Sequence, residues 1–427
     1  MRVLLFRGLC DTGGVSTSMC LHGAELRRRG IDVEFWFCEA SVRIPDFQRI
    51  ATTHVTPPSQ LLDAVNAGRY DVVHVVTTDP TAELLTFATR RPRIVATNRG
   101  GLSALWQSTN CFARTAVSRG MAALDQPLTD LQVDAIPNSI DAARFALNPG
   151  LAAAGAPIVA WVGRTTSIEQ KDFPRFLRVG ALLARHGVRL WVADAHGSDW
   201  SWFERRGYSR PPIERWEQVS QQEMPGFYQA VAASGGVLLM TSPAEGFGLA
   251  AAESAACGAL TVAPDVVGLR EAVIDGVTGS LYPRETPDAE LADRIRSMLA
   301  TTVERRRTAS DAARQEFSVE RMSGRYLDVY QRPAPVLYAG PAAWPADDPT
   351  VRLLRERMAT YEGYRVYLLT TEAVRFARER RRSLAMRAIA RAFHVSPRLA
   401  LRRKSAARIA RALLSLARPA TARPAVA

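Results

Sequence analysis

Lysine is almost absent from this sequence: Lys171 and Lys404 are its two lysines, against 53 arginines. The five cysteines are widely spaced and form no C-x-x-C pair, which excludes a disulfide-rich scaffold or a zinc ribbon. No run of about 18 apolar residues occurs, which excludes a long apolar membrane-spanning helix. The apolar run in the opening MRVLLFRG is too short for a signal peptide, so we expect a cytoplasmic protein.

The length and the charge distribution divide the chain into a body and a tail. A chain of 427 residues is about three times the usual domain length, which favours two domains with an appendage. From Gln331 onward there are 20 basic and six acidic residues, whereas residues 1–330 have 35 basic and 36 acidic residues. A nearly neutral body is therefore followed by a strongly basic tail.

Apolar runs alternate with helical spacing in both halves of the body, as in doubly wound α/β domains. The runs predict strands at residues 2–6, 33–37, 71–76, 93–97, 158–162, 188–193, 237–240 and 260–263. We predict two Rossmann-like domains over residues 1–148 and 149–332, followed by a basic helical extension over residues 333–427. Two such domains facing each other predict a ligand site in an interdomain cleft, at the carboxyl ends of the strands.

The segment 242–263, SPAEGFGLAAAESAACGALTVA, combines a glycine-bearing loop with a helix of small residues. If the helix begins near Gly248, Glu245 lies in the loop and Glu253 on the helix, about 12 Å apart at most at about 1.5 Å per residue. Two carboxylates at that separation could hold two ends of one ligand. Gly246 and Gly248 let the backbone approach a ligand closely, and the helix N-terminus favours an anion.

The pattern S-x-x-E-G-F-G-x-x-x-x-E in this segment closely resembles the retaining glycosyltransferases of family 4, which have the GT-B fold. The resemblance extends over residues 1–330. It implies that Glu245 contacts hydroxyls of a donor sugar and that Glu253 binds the ribose of a nucleotide. It also implies that the loop amides around Phe247 and Gly248 hold the sugar and its diphosphate.

A second match, V-G-R-x6-K, begins at Val162 and contains Arg164 and Lys171. The resemblance implies that this pair of cations holds the donor diphosphate. Fixed cations there would stabilise the charge that develops on a departing nucleoside diphosphate. No D-x-D motif, which could hold a divalent metal ion on the diphosphate, occurs in the sequence. We therefore expect neither a metal ion nor a cofactor.

Weaker matches lie in the first domain and at its boundary. Gly13 and Gly14 resemble the family's glycine loop after the first strand, and an ordinary turn is an equally good interpretation of these two residues. Asn138, within IPNSID, resembles the family's segment before the interdomain crossing.

One departure from the family concerns a histidine that many members carry after the strand at residues 93–97. This chain reads TNRGG there, so either Asn98 or Arg99 supplies the hydrogen bond to the donor sugar, or the sugar differs, or activity is lost. We expect His74 to be a buried strand histidine with hydrogen-bond partners. His196, in a loop after a strand of the second domain, is a candidate that could face the donor.

The expected reaction is transfer of a hexosyl unit from a nucleotide diphosphate sugar to a carbohydrate or lipid-linked hydroxyl. A double displacement needs two carboxylates about 5 Å apart, which Glu245 and Glu253 are not expected to provide. The resemblance implies retention, with the leaving diphosphate helping to deprotonate the acceptor. The alternatives are a nucleotide-sugar epimerase or phosphorylase of the same fold, or a catalytically silent scaffold.

The tail predicts basic amphipathic helices interrupted at Pro397. Lys404, Arg408, Arg411 and Arg418 are expected on one face of the last helix, opposite Ile409, Leu413 and Leu416. Such helices suit an anionic membrane surface, which would place the protein peripherally on the inner face of the membrane, or packing on the body. Few aromatic residues accompany the arginines, so we expect no nucleic-acid partner.

Overall fold

Two β-sheets organise the computed structural model, which describes most of the chain. The described residues are 1–10, 13–76, 80–90, 92–100, 111–148, 150, 155–166, 168–194, 200–205, 207, 211–217, 219–299, 301–340 and 349–417. The strands are β1 Arg2–Phe6, β2 Asp32–Phe37, β3 Thr53–Val55, β4 Val72–Val75, β5 Arg93–Asn98, β6 Ala113–Ala116, β7 Val133–Ala135, β8 Ile158–Val162, β9 Arg189–Asp194, β10 Glu214–Glu217, β11 Val237–Leu239, β12 Leu260–Pro264 and β13 Gly279–Tyr282.

Helices separate most of these strands. The α-helices are α1 Gly14–Arg28, α2 Ile44–Gln48, α3 Pro58–Asn66, α4 Arg119–Asp125, α5 Ile168–Lys171, α6 Phe173–Ala184, α7 Ser201–Arg205, α8 Met224–Ala233, α9 Leu249–Ala256, α10 Leu269–Ala272, α11 Asp288–Leu299, α12 Val303–Glu316, α13 Val319–Gln331, α14 Pro349–Arg378, α15 Arg382–Val395, α16 Pro397–Ala400 and α17 Arg403–Ala417. Two further segments, Pro80–Phe87 and Gln126–Leu128, are 3-10 helices.

The strand order confirms the predicted doubly wound architecture. The first sheet has the order β3-β2-β1-β4-β5-β6-β7 and the second β10-β9-β8-β11-β12-β13. All neighbouring strands of the second sheet are parallel, as are the pairs among β1 to β5 in the first. The predicted strands are present, and the sequence analysis missed the short or polar β3, β6, β7, β10 and β13.

The chain divides into two compact units. The first contains residues 1–115, 123–133 and 330–427, and the second contains residues 116–122 and 134–329. Residues 134–148 belong to the second of these units, whereas the predicted domain boundary after residue 148 stays a prediction. The predicted C-terminal helical extension is present, and its helices belong to the first unit.

Alternate side chains of the second sheet enter two different cores, as expected for a sheet covered on both faces. Ile158, Ala160 and Leu238 pack with residues of α8 and α9. Val159 and Trp161 face the other way and pack with residues of α6 and α11.

The C-terminal helices pack on the first unit through an apolar face. Residues of α14, α15 and α17 form one buried cluster with Leu62, Leu84 and Phe87 of that unit. The fully buried Glu83 is paired with Arg365 at 2.7 Å and with Arg391 at 3.4 Å. The intramolecular interpretation of the tail is therefore correct for this face of the helices. No helix in the described part of the chain is long and apolar enough to cross a membrane.

Candidate active site

The residues with the strongest sequence motifs lie beyond the carboxyl ends of two neighbouring strands of the second sheet. The strands β8 and β11 are neighbours there, and the chain continues from them toward opposite edges of the sheet. A point where the strand order reverses in this way is a topological switch point. Parallel sheets bind ligands there, beyond the carboxyl ends of the two strands. Arg164 and Lys171 follow β8, and Glu245 follows β11. The topology therefore assembles residues that are about 80 positions apart in sequence.

Lys171 and Glu245 form an ion pair between Nζ and Oε1. Their side chains are 18% and 10% exposed, so both charges are mostly shielded but can still be reached from solvent. The Ser242 hydroxyl donates to the same carboxylate oxygen at 2.9 Å. The two side chains therefore lie next to each other, while their roles toward a donor remain predictions.

Glycines and one aromatic ring shape the loop that carries Glu245. Gly248 has φ +99° and is the N-cap of α9, which agrees with the predicted helix start. Gly268, at φ +85°, lies so close that a Cβ there would be 2.3 Å from the carbonyl oxygen of Glu245. The Phe247 ring is buried at 5.4 Å from the Phe317 ring. Phe247 thus anchors the loop in the core, and its neighbour Gly246 is partly exposed.

Glu253 occupies a more enclosed position on α9. Its Oε1 accepts a hydrogen bond from Gln221 Nε2 at 3.0 Å, and the Gln221 carbonyl accepts one from Arg144 at 2.7 Å. Burial raises the pKa of Glu253 to about 7, against the opposing effects of Gln221, Tyr228 and Arg144. The described contacts of Glu253 thus differ from those of Glu245, as expected for two separate roles.

Arg164 is exposed and donates from Nη2 to Gln170 Oε1 at 3.0 Å. Gln170 directly precedes Lys171 in α5, so the two predicted phosphate-binding cations are linked through one short helix. In the described residues, Lys171 contacts Glu245 whereas Arg164 contacts Gln170.

The glycine loop and the boundary segment are described only in part. Gly13 is the N-cap of α1, Gly14 is its first residue, and both are exposed, while residues 11–12 lie outside the described residues. Asn138 is buried, two residues before Ile140, whose N–H donates to the Phe317 carbonyl at 2.9 Å. The matches of Gly13 and Gly14 to the family's glycine loop, and of Asn138 to its boundary segment, remain predictions.

Asn98 and Arg99 lie at the position in the sequence where many family members carry a histidine, and both have hydrogen-bond partners in the first unit. Asn98 is fully buried, and its Nδ2 donates to both oxygens of Asp125 at 2.9 and 2.7 Å. Arg99 is also buried and donates to the Val76 carbonyl at 2.6 Å and to Ser18 Oγ at 2.9 Å. These contacts hold both side chains inside the first unit, and their role toward the donor sugar remains a prediction.

The two histidine candidates have different outcomes. His74 is fully buried, with Nδ1 at 2.6 Å from Tyr330 Oη and Nε2 at 2.7 Å from Thr97 Oγ1. It is therefore a strand histidine with two partners, as predicted. His196 lies outside the described residues.

Two polar residues, Ser242 and Gln221, lie beside the carboxylates of Glu245 and Glu253 and were not predicted from the sequence. Ser242 belongs to the recognised S-x-x-E pattern, so its position relative to Glu245 was a usable signal. Gln221 had no such signal, because it precedes α8 and approaches Glu253 only after folding. Among the described residues no group of three or more His, Cys, Asp or Glu side chains could hold a metal ion.

Comparison with known proteins assigns the segment that contains these residues to a family. Residues 156–301 match the model of "Glycosyl transferases group 1". This segment is a glycosyl transferases group 1 domain. The predicted resemblance is therefore confirmed, and Arg164, Lys171, Glu245 and Glu253 all lie inside the matched residues.

A relative and two solved structures extend the comparison. The D-inositol 3-phosphate glycosyltransferase of Segniliparus rotundus is 30% identical over 210 residues, which cover 45% of this chain and 45% of that protein. The match thus spans less than half of the relative's length. Sucrose-phosphate synthase from Thermosynechococcus elongatus has a TM-score of 0.61 at 19% identity, covering 77% of this chain and 98% of that one. Anabaena HepE, in complex with UDP and glucose, has a TM-score of 0.62 at 17% identity, with the same coverage. These likenesses confirm the GT-B fold.

Proposed function

We propose that this chain transfers a hexosyl unit, with retention, from a nucleotide diphosphate sugar to a carbohydrate or lipid-linked hydroxyl. The observation that carries the proposal is the Lys171–Glu245 pair at the carboxyl ends of β8 and β11, inside a group 1 domain. A cation and a carboxylate side by side suit the two parts of such a donor, because one attracts its diphosphate and the other accepts hydrogen bonds from its sugar hydroxyls.

The proposed step breaks the bond between the anomeric carbon and the diphosphate oxygen. A bond from the acceptor oxygen to the same carbon forms on the same face, and the acceptor proton passes to the leaving diphosphate. Lys171 and Arg164 neutralise charge that increases as the diphosphate leaves, so they stabilise the transition state more than the bound donor. The diphosphate would compete with Glu245 for the Lys171 ammonium, leaving the carboxylate to hold the sugar.

Glu253 is proposed to accept hydrogen bonds from the ribose of the nucleotide. Its burial on α9, behind the N-terminal turn of that helix, suits an enclosed group that does not react. HepE structures contain UDP and UDP-glucose, which supports a UDP-sugar as the first donor to test. The relatives named for inositol 3-phosphate match too little of their length to assign the acceptor.

The donor class can be tested by a thermal-shift screen with UDP, GDP, ADP and their sugars. A ligand at about 100 times its Kd adds about 2.7 kcal/mol to the native state. We expect one nucleotide to raise the Tm of the wild type, and Lys171→Ala to reduce that shift. If no nucleotide shifts the Tm, the proposal is wrong. Product analysis with the selected donor then separates transfer from epimerisation, phosphorolysis and a silent scaffold.

We also propose that the reaction needs no metal ion, because Arg164 and Lys171 supply the positive charge at the diphosphate. Transfer should then continue in EDTA at the untreated rate. Loss of transfer on chelation, with recovery on addition of Mg²⁺ or Mn²⁺, would contradict this.

We further propose that the protein is cytoplasmic and binds peripherally to the anionic inner face of the membrane. The outer surface of the extension supports this part of the proposal. We define the outer basic patch by its exposed leucines, arginines and lysine: Leu401, Arg402, Arg403, Lys404, Arg411, Leu413 and Leu414. Leu401 and Leu414 are 66% and 64% exposed. Basic side chains add about 1 kcal/mol each near an anionic bilayer, and apolar side chains can insert.

The structure changes the predicted composition of this surface. Ile409 is buried in the apolar cluster of the first unit and Leu416 is partly buried against that cluster, so neither is part of the outer basic patch. Arg408 donates to Thr370 and lies 4.4 Å from the Tyr367 ring centroid. Arg418 lies outside the described residues.

Point variants suit this test better than truncation, because α15 to α17 contribute to the core of the first unit. We expect Arg402, Arg403 and Arg411 changed together to Gln to reduce sedimentation with anionic vesicles but not with neutral ones. The matched control changes Arg296, Arg305 and Arg307 of the second unit to Gln, which removes the same charge. Equal loss in both triple variants, or no wild-type binding to anionic vesicles, would contradict the proposed surface.

A further inference from the structure

A buried threonine connects the backbone of Lys171 to the strand that leads to Glu245. Thr241 lies two residues beyond β11 and is 3% exposed. Its Oγ1 lies 2.7 Å from the carbonyl oxygen of Lys171 and 3.0 Å from the indole Nε1 of Trp161. Trp161, on β8, is 1% exposed, and its ring is 4.8 Å from that of Phe173.

The direction of both hydrogen bonds follows from the chemistry of the groups. An indole N–H can only donate and a carbonyl oxygen can only accept. The Thr241 hydroxyl therefore accepts from Trp161 and donates its single proton to Lys171. Replacement by valine, which has nearly the same shape, would remove the acceptor and the donor together and leave two buried polar groups without this partner.

The accepting carbonyl lies where a helix end needs a partner. Lys171 is the last residue of α5, and terminal carbonyls of a helix have no partner within the helix. The next residue, Asp172, has φ +43° and caps α6, its side chain accepting from the Arg175 N–H at 3.2 Å. The backbone of Lys171 is thus held by the hydrogen bond to Thr241 and by the following residue, Asp172, which has a left-handed conformation and caps α6.

We infer that Thr241 is a positioning residue that holds Lys171 in register with the loop carrying Glu245. Because Thr241 and Glu245 are four residues apart in one loop, the hydrogen bond to the Lys171 backbone sets how far the ammonium lies from the carboxylate. This inference rests on the proposed function for its effect on catalysis. Its geometric part can be tested without any donor.

The scarcity of lysine makes the geometric test direct. In protein labelled with ¹³C-lysine, two sets of side-chain signals are expected, from Lys171 and Lys404, and Lys171→Arg assigns them. Glu245→Gln defines the position of the Lys171 signal when the ion pair is removed. We expect Thr241→Val to move this signal toward the Glu245→Gln position and Thr241→Ser, which keeps the hydroxyl, to leave it near the wild type.

Thr278→Val is the matched control, because Thr278 is also fully buried in the second unit and its Oγ1 accepts from the Ile274 N–H at 2.8 Å. It should lower the Tm as Thr241→Val does without moving the Lys171 signal. If Thr241→Val leaves the signal in place, or Thr278→Val moves it equally, the inference is wrong.

Kinetics then test the consequence for transfer with the donor selected by the thermal-shift screen. We expect Thr241→Val to lower kcat roughly tenfold or more, with donor KM changed less, since small displacements of a catalytic group are costly. Thr241→Ser should recover most of the loss. A changed Lys171 signal with unchanged kcat would overturn the positioning role, whereas failure of every donor in the wild type would reject the proposed function instead.

Discussion

The two units place polar side chains at the carboxyl ends of their strands in different ways. In the first unit His74, Thr97 and Asn98 are at most 2% exposed and bind one another or neighbouring buried groups. In the second unit Lys171 and Glu245 keep 18% and 10% of their side chains exposed, and Arg164 is more exposed still. The same kind of sheet thus supports a closed structural network in one unit and an accessible charged pair in the other.

The proposed donor site lies in the second unit. The family model matches residues 156–301, which lie entirely in the second unit. Buried polar groups are nearly always hydrogen-bonded, and losing one partner of such a bond destabilises the fold. We therefore expect substitutions in the second unit to change turnover and substitutions in the network of the first unit to change stability.

The largest effect is expected for Lys171→Ala and Arg164→Ala. Each should lower turnover about 100-fold, since removal of one transition-state donor costs about 3 kcal/mol. His74→Phe should instead lower the Tm of the first unit, because it breaks hydrogen bonds to Tyr330 and Thr97. The measurements are kcat at saturating donor and thermal unfolding. Unchanged turnover in both cation variants would remove the diphosphate assignment.

A smaller effect should appear in the pH dependence of stability, because each unit contains a buried glutamate with a raised pKa. Burial raises the pKa of Glu253 to about 7 in the second unit and that of Glu372 to about 7 in the first. A raised pKa in the folded state favours the protonated form, so each group's contribution to stability is complete below about pH 4.5 and is lost as the pH rises to 7. In the wild type each glutamate should lower the free energy of unfolding by about 2 kcal/mol between pH 5 and 7. Glu→Gln at either position should abolish that glutamate's part of the decrease.

Nucleotide should separate the two glutamates. A ribose bound to the Glu253 carboxylate favours its charged form. Saturating nucleotide should therefore reduce the pH dependence that Glu253 gives to the free energy of unfolding. The contribution of Glu372, which pairs with Arg375 in the extension at 3.2 Å, should not change. Urea unfolding of both variants at pH 5 to 8, with and without nucleotide, measures this. An equal response of the two variants to nucleotide would contradict the ribose assignment.

Local patterns predicted the sheets because buried parallel strands are continuous apolar runs. The same reasoning missed β10, whose sequence ERWE is mostly polar and which lies at an edge of its sheet. It also missed that Arg391 and Arg365 pair with Glu83, because contacts about 300 residues apart leave no local pattern. The residues of the first unit that contact the extension therefore could not be predicted from the sequence.

The candidate site shows the same division between motif and context. The motifs identified Arg164, Lys171, Glu245 and Glu253, because each belongs to a fixed spacing. They could not identify Gln221 or the role of Thr241, whose partners come from other elements. They also could not show that Asn98 donates to Asp125, because Asp125 lies 27 residues away and its position depends on folding.

The smallest expected effect distinguishes the two candidate carboxylates of the second unit, Glu245 and Glu253. Glu253→Gln should raise donor KM about tenfold with little change in kcat, because ribose contacts are equally present in the ground and transition states. Glu245→Gln should lower kcat instead, since this carboxylate lies beside Lys171, where the reacting bond is expected. Steady-state kinetics with varied donor distinguish the two outcomes, and Ser242→Ala, which removes one hydrogen bond to Glu245, should give a weaker form of the Glu245 effect. The reverse pattern, with kcat falling in Glu253→Gln and KM rising in Glu245→Gln, would mean that the buried carboxylate holds the sugar and the paired one the nucleotide.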